Sequence, residues 1–148
     1  MSRVRFKREP KRSAGEGDAT ITLQNKRLRD GHRAAWWEAD AIQQYWRVRL
    51  DLQDAVARVQ MHDLSEGDHH PPQSPDERWG LLANWREALV QQLLTAAPDV
   101  AAVNWKRKAL ARGQHKFTDV KTERIERAIV EDVAFLDAHP TRTKKCSA

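Results

Sequence analysis

The chain has 148 residues, the length of a single domain, with 26 Lys and Arg against 21 Asp and Glu for a net charge of +5, and such a length buries a core without disulfide or metal support. One cysteine, Cys146, excludes an internal disulfide and favours a reducing setting. No run approaches the ~18 apolar residues of a spanning helix, and the basic N-terminus lacks the apolar stretch of a secretory signal, so a cytoplasmic protein is expected.

The positive charge is concentrated at the ends. Residues 1 to 33 carry ten cations against four acids, or +6, whereas residues 34 to 139 carry 13 against 17, or −4. This division predicts a basic N-terminal arm over residues 1–30, a helical domain over 31–140 and a basic tail over 141–148. Within the arm, "RVRFK" (Arg3 to Lys7) and "TITL" (Thr20 to Leu23) alternate at period two around a Gly-containing connection. They suit a small β-hairpin, which is marginal in water and is expected to be disordered unless it docks. The cations Arg3, Arg5, Lys7, Arg8, Lys11, Arg12, Lys26, Arg27 and Arg29 are the candidate nucleic-acid contacts, because phosphate neutralisation supplies affinity without sequence preference.

From Asp30 onward the period becomes helical. Ala34, Ala41, Tyr45, Val48, Leu52, Ala55 and Val59 recur at near-heptad spacing, with Trp37, Ile42 and Val56 beside them, and neither Gly nor Pro interrupts the run from Arg33 to His62. A helix of roughly thirty residues spans about 45 Å, so it is expected to be the spine of the fold or to project from it. The stretch from Ser65 to Gln73, with Gly67, Pro71 and Pro72, reverses the chain, and Ser74, Pro75 and Glu77 form a capping box that starts a second helix. This helix turns Trp79, Leu82, Trp85, Leu89 and Leu93 to one side and ends or bends near Ala96, before Pro98. Pro98 and Asp99 suit the first turn of a third helix, showing Val100, Val103, Arg107 and Leu110 and stopping at Gly113. A fourth starts near Thr118 or Asp119, shows Ile125, Ile129, Val133 and Leu136, and stops at Pro140. Four helices with short connections predict a mainly α, antiparallel bundle.

Six tryptophans fall on these helices. Trp79 and Trp85 lie on the apolar stripe of the second and are assigned to the core. Trp36 and Trp37 are adjacent, so one face cannot bury both, and Trp105 precedes "KRK" off the apolar line of its helix. Trp36, Trp37, Trp105, Lys106 and Arg107 are therefore candidate partner contacts, since Trp and Arg are enriched at hot spots, although a Trp at the edge of the core fits equally well.

The segment "LVQQLLTAAPDVAAVNWK", within Leu82 to Leu110, resembles uncharacterised helical proteins of bacterial chromosomes and prophages. The resemblance implies a small phage or prophage accessory protein and transfers no functional residue. Locally, "MHDLSEGDHH" resembles the metal-binding step of HD-domain phosphohydrolases, with His62 and Asp63 as the His-Asp pair and His32 and Asp132 in the family's order. That likeness implies a divalent metal activating water for phosphate-ester hydrolysis. The chain falls short of the helix this family uses to close its site. His69 and His70 with Glu66 and Asp68 lack Cys/His ligand spacing, and His115 sits in a connection where solvent is the default. Phosphate loops, nucleophile elbows and zinc-finger patterns are absent from the sequence.

No catalytic residue, metal ligand or cofactor is assigned. The expectation is a non-enzymatic interaction protein whose arm engages nucleic acid or a nucleoprotein complex. The alternative is an inhibitor or adaptor that docks on a host protein through its helices and exposed Trp residues.

Overall fold

The computed structural model describes residues 9–65 and 75–141. Four α-helices follow in order, α1 (Glu9–Ser65), α2 (Pro75–Leu94), α3 (Val100–Arg112) and α4 (Thr122–Ala138), with a short 3-10 turn (Gln114–Phe117) between the last two. The mainly α bundle expected from the periodicities is the fold, with no strand among the described residues.

α1 is longer than its apolar pattern predicts. It runs 57 residues without a break through Thr20–Leu23 and across the boundary expected at residue 30. The hairpin is thereby corrected, because the second of its strands is helical, while Arg3 to Lys7 lie outside the described residues. Once nucleated, a helix gains one hydrogen bond for each residue it fixes, whereas a two-stranded ribbon here has no sheet to dock on. The basic segment is also docked near residue 25. Asn25 Nδ2 donates to the Pro140 carbonyl (3.0 Å) and Arg29 Nε to that of Pro98 (3.0 Å), so α1 joins the body well before Asp30.

α2 begins at Pro75, the N1 position its capping sequence predicts, and packs antiparallel on α1. Arg78 ties its first turn to Asp54 of α1 (2.9 Å). The chain leaves the helix after Leu94, and Pro98 is buried ahead of α3 rather than inside it. Asp99 is the N-cap of α3, its carboxylate accepting from Ala102 N at 2.8 Å, which satisfies a donor that the helix start leaves open. At the other end Gly113 adopts φ 77°, the left-handed geometry that a Cβ disfavours, and its N–H closes on the Leu110 carbonyl.

The core forms where the four helices meet, from Trp36, Trp85, Leu89, Leu93, Ala97, Ala102, Val103, Ala109, Ile125 and Ile129. Trp36 meets Trp105 edge to face at 5.4 Å, joining α1 to α3. Val133 and Leu136 of α4 pack against this cluster as their spacing predicts. Trp79 is a correction. It stands six residues before Trp85, a third of a turn around the helix, and is 62% exposed. Val100, in the first turn of α3, is exposed as well.

Candidate functional site

The two faces of α1 exchange the roles their composition suggests. At 100° per residue, Asn25, Arg29, Trp36, Gln43, Leu50 and Asp54 fall within about 40° of a single line, and this is the face turned to α2, α3 and α4. The apolar stripe that predicts a core contact lies about 140° away and points outward. Leu23, Ala34, Trp37, Ala41, Tyr45, Val48, Leu52 and Val59 are all exposed, with Val48 and Leu52 at 61% and 62%.

The inner face is the polar one because α2 presents polar groups that need partners. Trp85 Nε1 donates to Gln43 Oε1 at 2.7 Å, Gln43 Nε2 to Gln92 Oε1 at 3.3 Å, and Gln92 Nε2 to Asp40 Oδ1 at 2.9 Å. Gln43 and Gln92 are buried. Turning the Val48–Leu52 stripe inward would strand Trp85 Nε1 and the Gln92 amide, at about 1–3 kcal/mol for each unsatisfied group. The apolar stripe left on the outside of the bundle is the larger anomaly. Trp37, Tyr45, Val48, Leu52 and Val59 each keep 54 to 67% of their surface exposed in one row, and a contiguous exposed apolar row of this kind marks an interaction surface.

The candidate partner contacts divide between interior and surface. Trp36 and Lys106 are corrected to core residues, 8% and 0% exposed, and so do not reach a partner. Lys106 Nζ is paired with Asp132 Oδ2, and Asp132 Oδ1 accepts from Ala97 N at 3.1 Å, so one carboxylate ties α3, α4 and the α2–α3 connection together. Burial pushes the Lys106 ammonium down from its usual range, and the hydrogen bond and charge of Asp132 oppose that shift. Trp105 is half-buried on Trp36. Trp37, at 67%, and Arg107 remain exposed, on different helices.

Among the candidate nucleic-acid contacts, Arg3, Arg5, Lys7 and Arg8 lie outside the described residues, and Lys11 and Arg12 fall on the first turn of α1. Lys26 and Arg27 are exposed. Arg29 is half-buried, its guanidinium donating to the carbonyls of Pro98 and His139, so it docks the helix. Lys26, Arg29, Asp30, Arg33 and Thr141 line a small pocket of about 250 Å³, but Arg33 there is already paired with Asp30 (3.1 Å) and Asp99 (3.6 Å).

The residues that the HD-domain likeness would bring together stay apart. His32 and His62 lie on one continuous helix, thirty residues or about 45 Å from each other. His32 packs on Phe135 (4.3 Å between ring centres), and Asp132 is engaged by Lys106. Among the described residues no group of three or more His, Cys, Asp or Glu is placed to hold a metal, and His69 and His70 lie outside them.

His115 corrects the expectation of a solvated loop histidine. It is buried, its Nε2 lies 2.8 Å from Thr122 Oγ1, and burial lowers its pKa with a smaller contribution from Lys116. A groove of about 470 Å³, of mixed polar and apolar lining that includes Gln44, Arg47, Trp85, Trp105 and Arg112, opens between α1, α2 and α3, with Arg47 5.2 Å over the Trp85 ring. Among the described residues no helix is long and apolar enough to cross a membrane. No family model matches the chain, and neither a curated protein nor a solved structure matches it.

Proposed function

We propose that this chain is a helical interaction protein that engages its partner through the outer face of α1. The observation that carries the reading is the apolar stripe from Ala34 to Val59, exposed along a helix whose opposite face already holds the body. A water-exposed row of Trp, Tyr, Val and Leu at this spacing is the form in which one helix presents anchors to another. Tyr45 near its centre and Trp37 toward its N-terminal end supply large, rigid contact area, the property that concentrates binding energy at interfaces. The phage or prophage setting we propose for it rests on the likeness over Leu82 to Leu110 alone.

The test is co-purification from the producing cells after nuclease treatment, comparing the native chain with Val48→Glu/Leu52→Glu. Loss of the retained partner in the variant, with unchanged far-UV circular dichroism, is the expected result. Retention of the same partners by both chains would defeat the reading.

A second reading, nucleic-acid binding by the basic segment, is favoured by the exposure of Lys26 and Arg27 on a helix that continues through Lys11 and Arg12. The two pairs of cations, Lys11 with Arg12 and Lys26 with Arg27, stand about four helical turns apart, a separation at which a duplex backbone can meet both. Because Asn25 and Arg29 dock the body, the informative truncation removes residues 1–24. It is expected to lower affinity for duplex DNA and flatten its salt dependence. Equal affinity with and without those residues would refute this second reading.

A further inference from the structure

We infer that the occupant of the outer face of α1 is a second copy of the same chain, laid antiparallel across a twofold axis near Gln43. This rests on the reading of that face as an interaction surface and adds to it the identity of what covers it.

Spacing is the first ground. From Ala34 the stripe steps 3, 4, 4, 3, 4, 3 and 4 residues through Trp37, Ala41, Tyr45, Val48, Leu52 and Ala55 to Val59, seven steps over 25 residues. That alternation is the seam by which one α-helix packs along another, with one extra four-residue step at its centre that keeps the stripe nearly straight. The seam extends over about 37 Å, which a second helix of similar length matches and a short loop does not.

The seam is also complementary to its own reverse. Antiparallel about Gln43, Ala34 meets Leu52, Ala41 meets Tyr45 and Trp37 meets Val48 of the other copy, so a small residue faces a large one in two of these layers and the symmetry repeats each layer. A parallel alignment would set Trp37 on Trp37 and Tyr45 on Tyr45 with thin Ala layers between them, leaving gaps that close packing does not tolerate.

Charge selects the same direction. Glu38 on one flank of the seam comes opposite Arg49 of the other copy, twice by symmetry. Toward the ends of the seam, the exposed cations Lys26 and Arg27 come opposite the uncharged Gln60 and Val59 of the other copy. A parallel pair would instead set Lys26 and Arg27 of the two copies beside each other. Near the ends Val59 faces Arg27, whose aliphatic stem covers it while the guanidinium reaches water.

Area and access are sufficient. Five large side chains on each copy, Trp37, Tyr45, Val48, Leu52 and Val59, each more than half exposed, supply the contact area. The bodies lie on the inner faces, about 140° away, and so sit on the outside of the pair without clashing.

The experiment uses the full chain in sedimentation equilibrium, with orientation read by disulfide trapping. The native chain is expected to be dimeric with a dissociation constant on the order of 1–10 µM. Leu52→Glu is expected to be monomeric at the same helix content. Glu38→Arg and Arg49→Glu are each expected to weaken the dimer at least several-fold, and the two together to restore it. In a Cys146→Ser background, mixing Ala34→Cys with Leu52→Cys is expected to give the mixed disulfide in preference to either homodimer. A native chain that remains monomeric at about 100 µM overturns the inference, as does Ala34→Cys linking mainly to itself. Were the native chain monomeric while Val48→Glu/Leu52→Glu still lost a co-purified partner, the second copy would be wrong and the interaction surface right.

Discussion

The buried pair Lys106–Asp132 makes the sharpest test of how this body is held together. Both side chains are essentially removed from water, and Asp132 serves two donors, Lys106 Nζ and the Ala97 N–H that follows α2. Lys106→Met removes the counter-charge but leaves the Ala97 bond, so the loss is that of breaking one buried pair, about 3 kcal/mol. Asp132→Ala removes the counter-charge, strands the Lys106 ammonium and orphans the Ala97 N–H, which adds about 1–3 kcal/mol and brings the loss to roughly 4–6 kcal/mol. Against a typical stability of about 5–15 kcal/mol, the second variant sits near the limit of folding and the first does not. Lys106→Met combined with Asp132→Asn replaces the charges with neutral groups and keeps an oxygen for Ala97, and it is expected to be more stable than Asp132→Ala. Urea unfolding followed by circular dichroism gives the three differences directly, provided the slope with denaturant stays constant. Losses below about 1 kcal/mol for both single variants, or equal losses for the two, would refute the two-donor role of Asp132.

Leu50→Ala is expected to cost about 2–5 kcal/mol and Leu52→Ala no more than about 0.5 kcal/mol in the monomer, two residues apart on one helix, because only the first is buried; equal losses in urea titrations at monomeric concentration would contradict the orientation of α1. Asp99→Ala is expected to cost about 1 kcal/mol through the lost cap of α3, and Gly113→Ala a similar amount through the strain of a Cβ at φ 77°, both read as a fall in the unfolding midpoint. The pKa of His115 is lower folded than unfolded, so below about pH 6.5 the unfolded chain takes up its proton first, and the stability tied to the neutral ring is lost as pH falls from there through the folded value. His115→Gln is expected to flatten that part of the stability–pH curve, and an unchanged slope would exclude His115 as its source.

The amino-acid sequence by itself identified the helices from Asp30 onward and where several of them begin and end, because those signals are local, but not the stretch of α1 from Glu9 to Asp30. Pro75 opens α2, Gly113 closes α3, and the 3.6-residue recurrence of Ile125, Ile129, Val133 and Leu136 identifies the buried side of α4. It also contained the stripe of α1 in full, and the adjacency of Trp36 and Trp37 required that one of them stay outside. Only the tertiary structure decided which face of α1 is inside. Periodicity measures how apolar residues are grouped, whereas burial here follows the partners that α2 offers, and Trp85, Gln92 and the Pro140 carbonyl call for Gln43, Asp40 and Asn25. For the same reason Lys106 and His115, surface residues by type, lie in the interior beside Asp132 and Thr122, partners 26 and 7 residues away in the chain. The period of a single helix carries no information about groups that distant, and so the apolar face that a core would have claimed was left exposed.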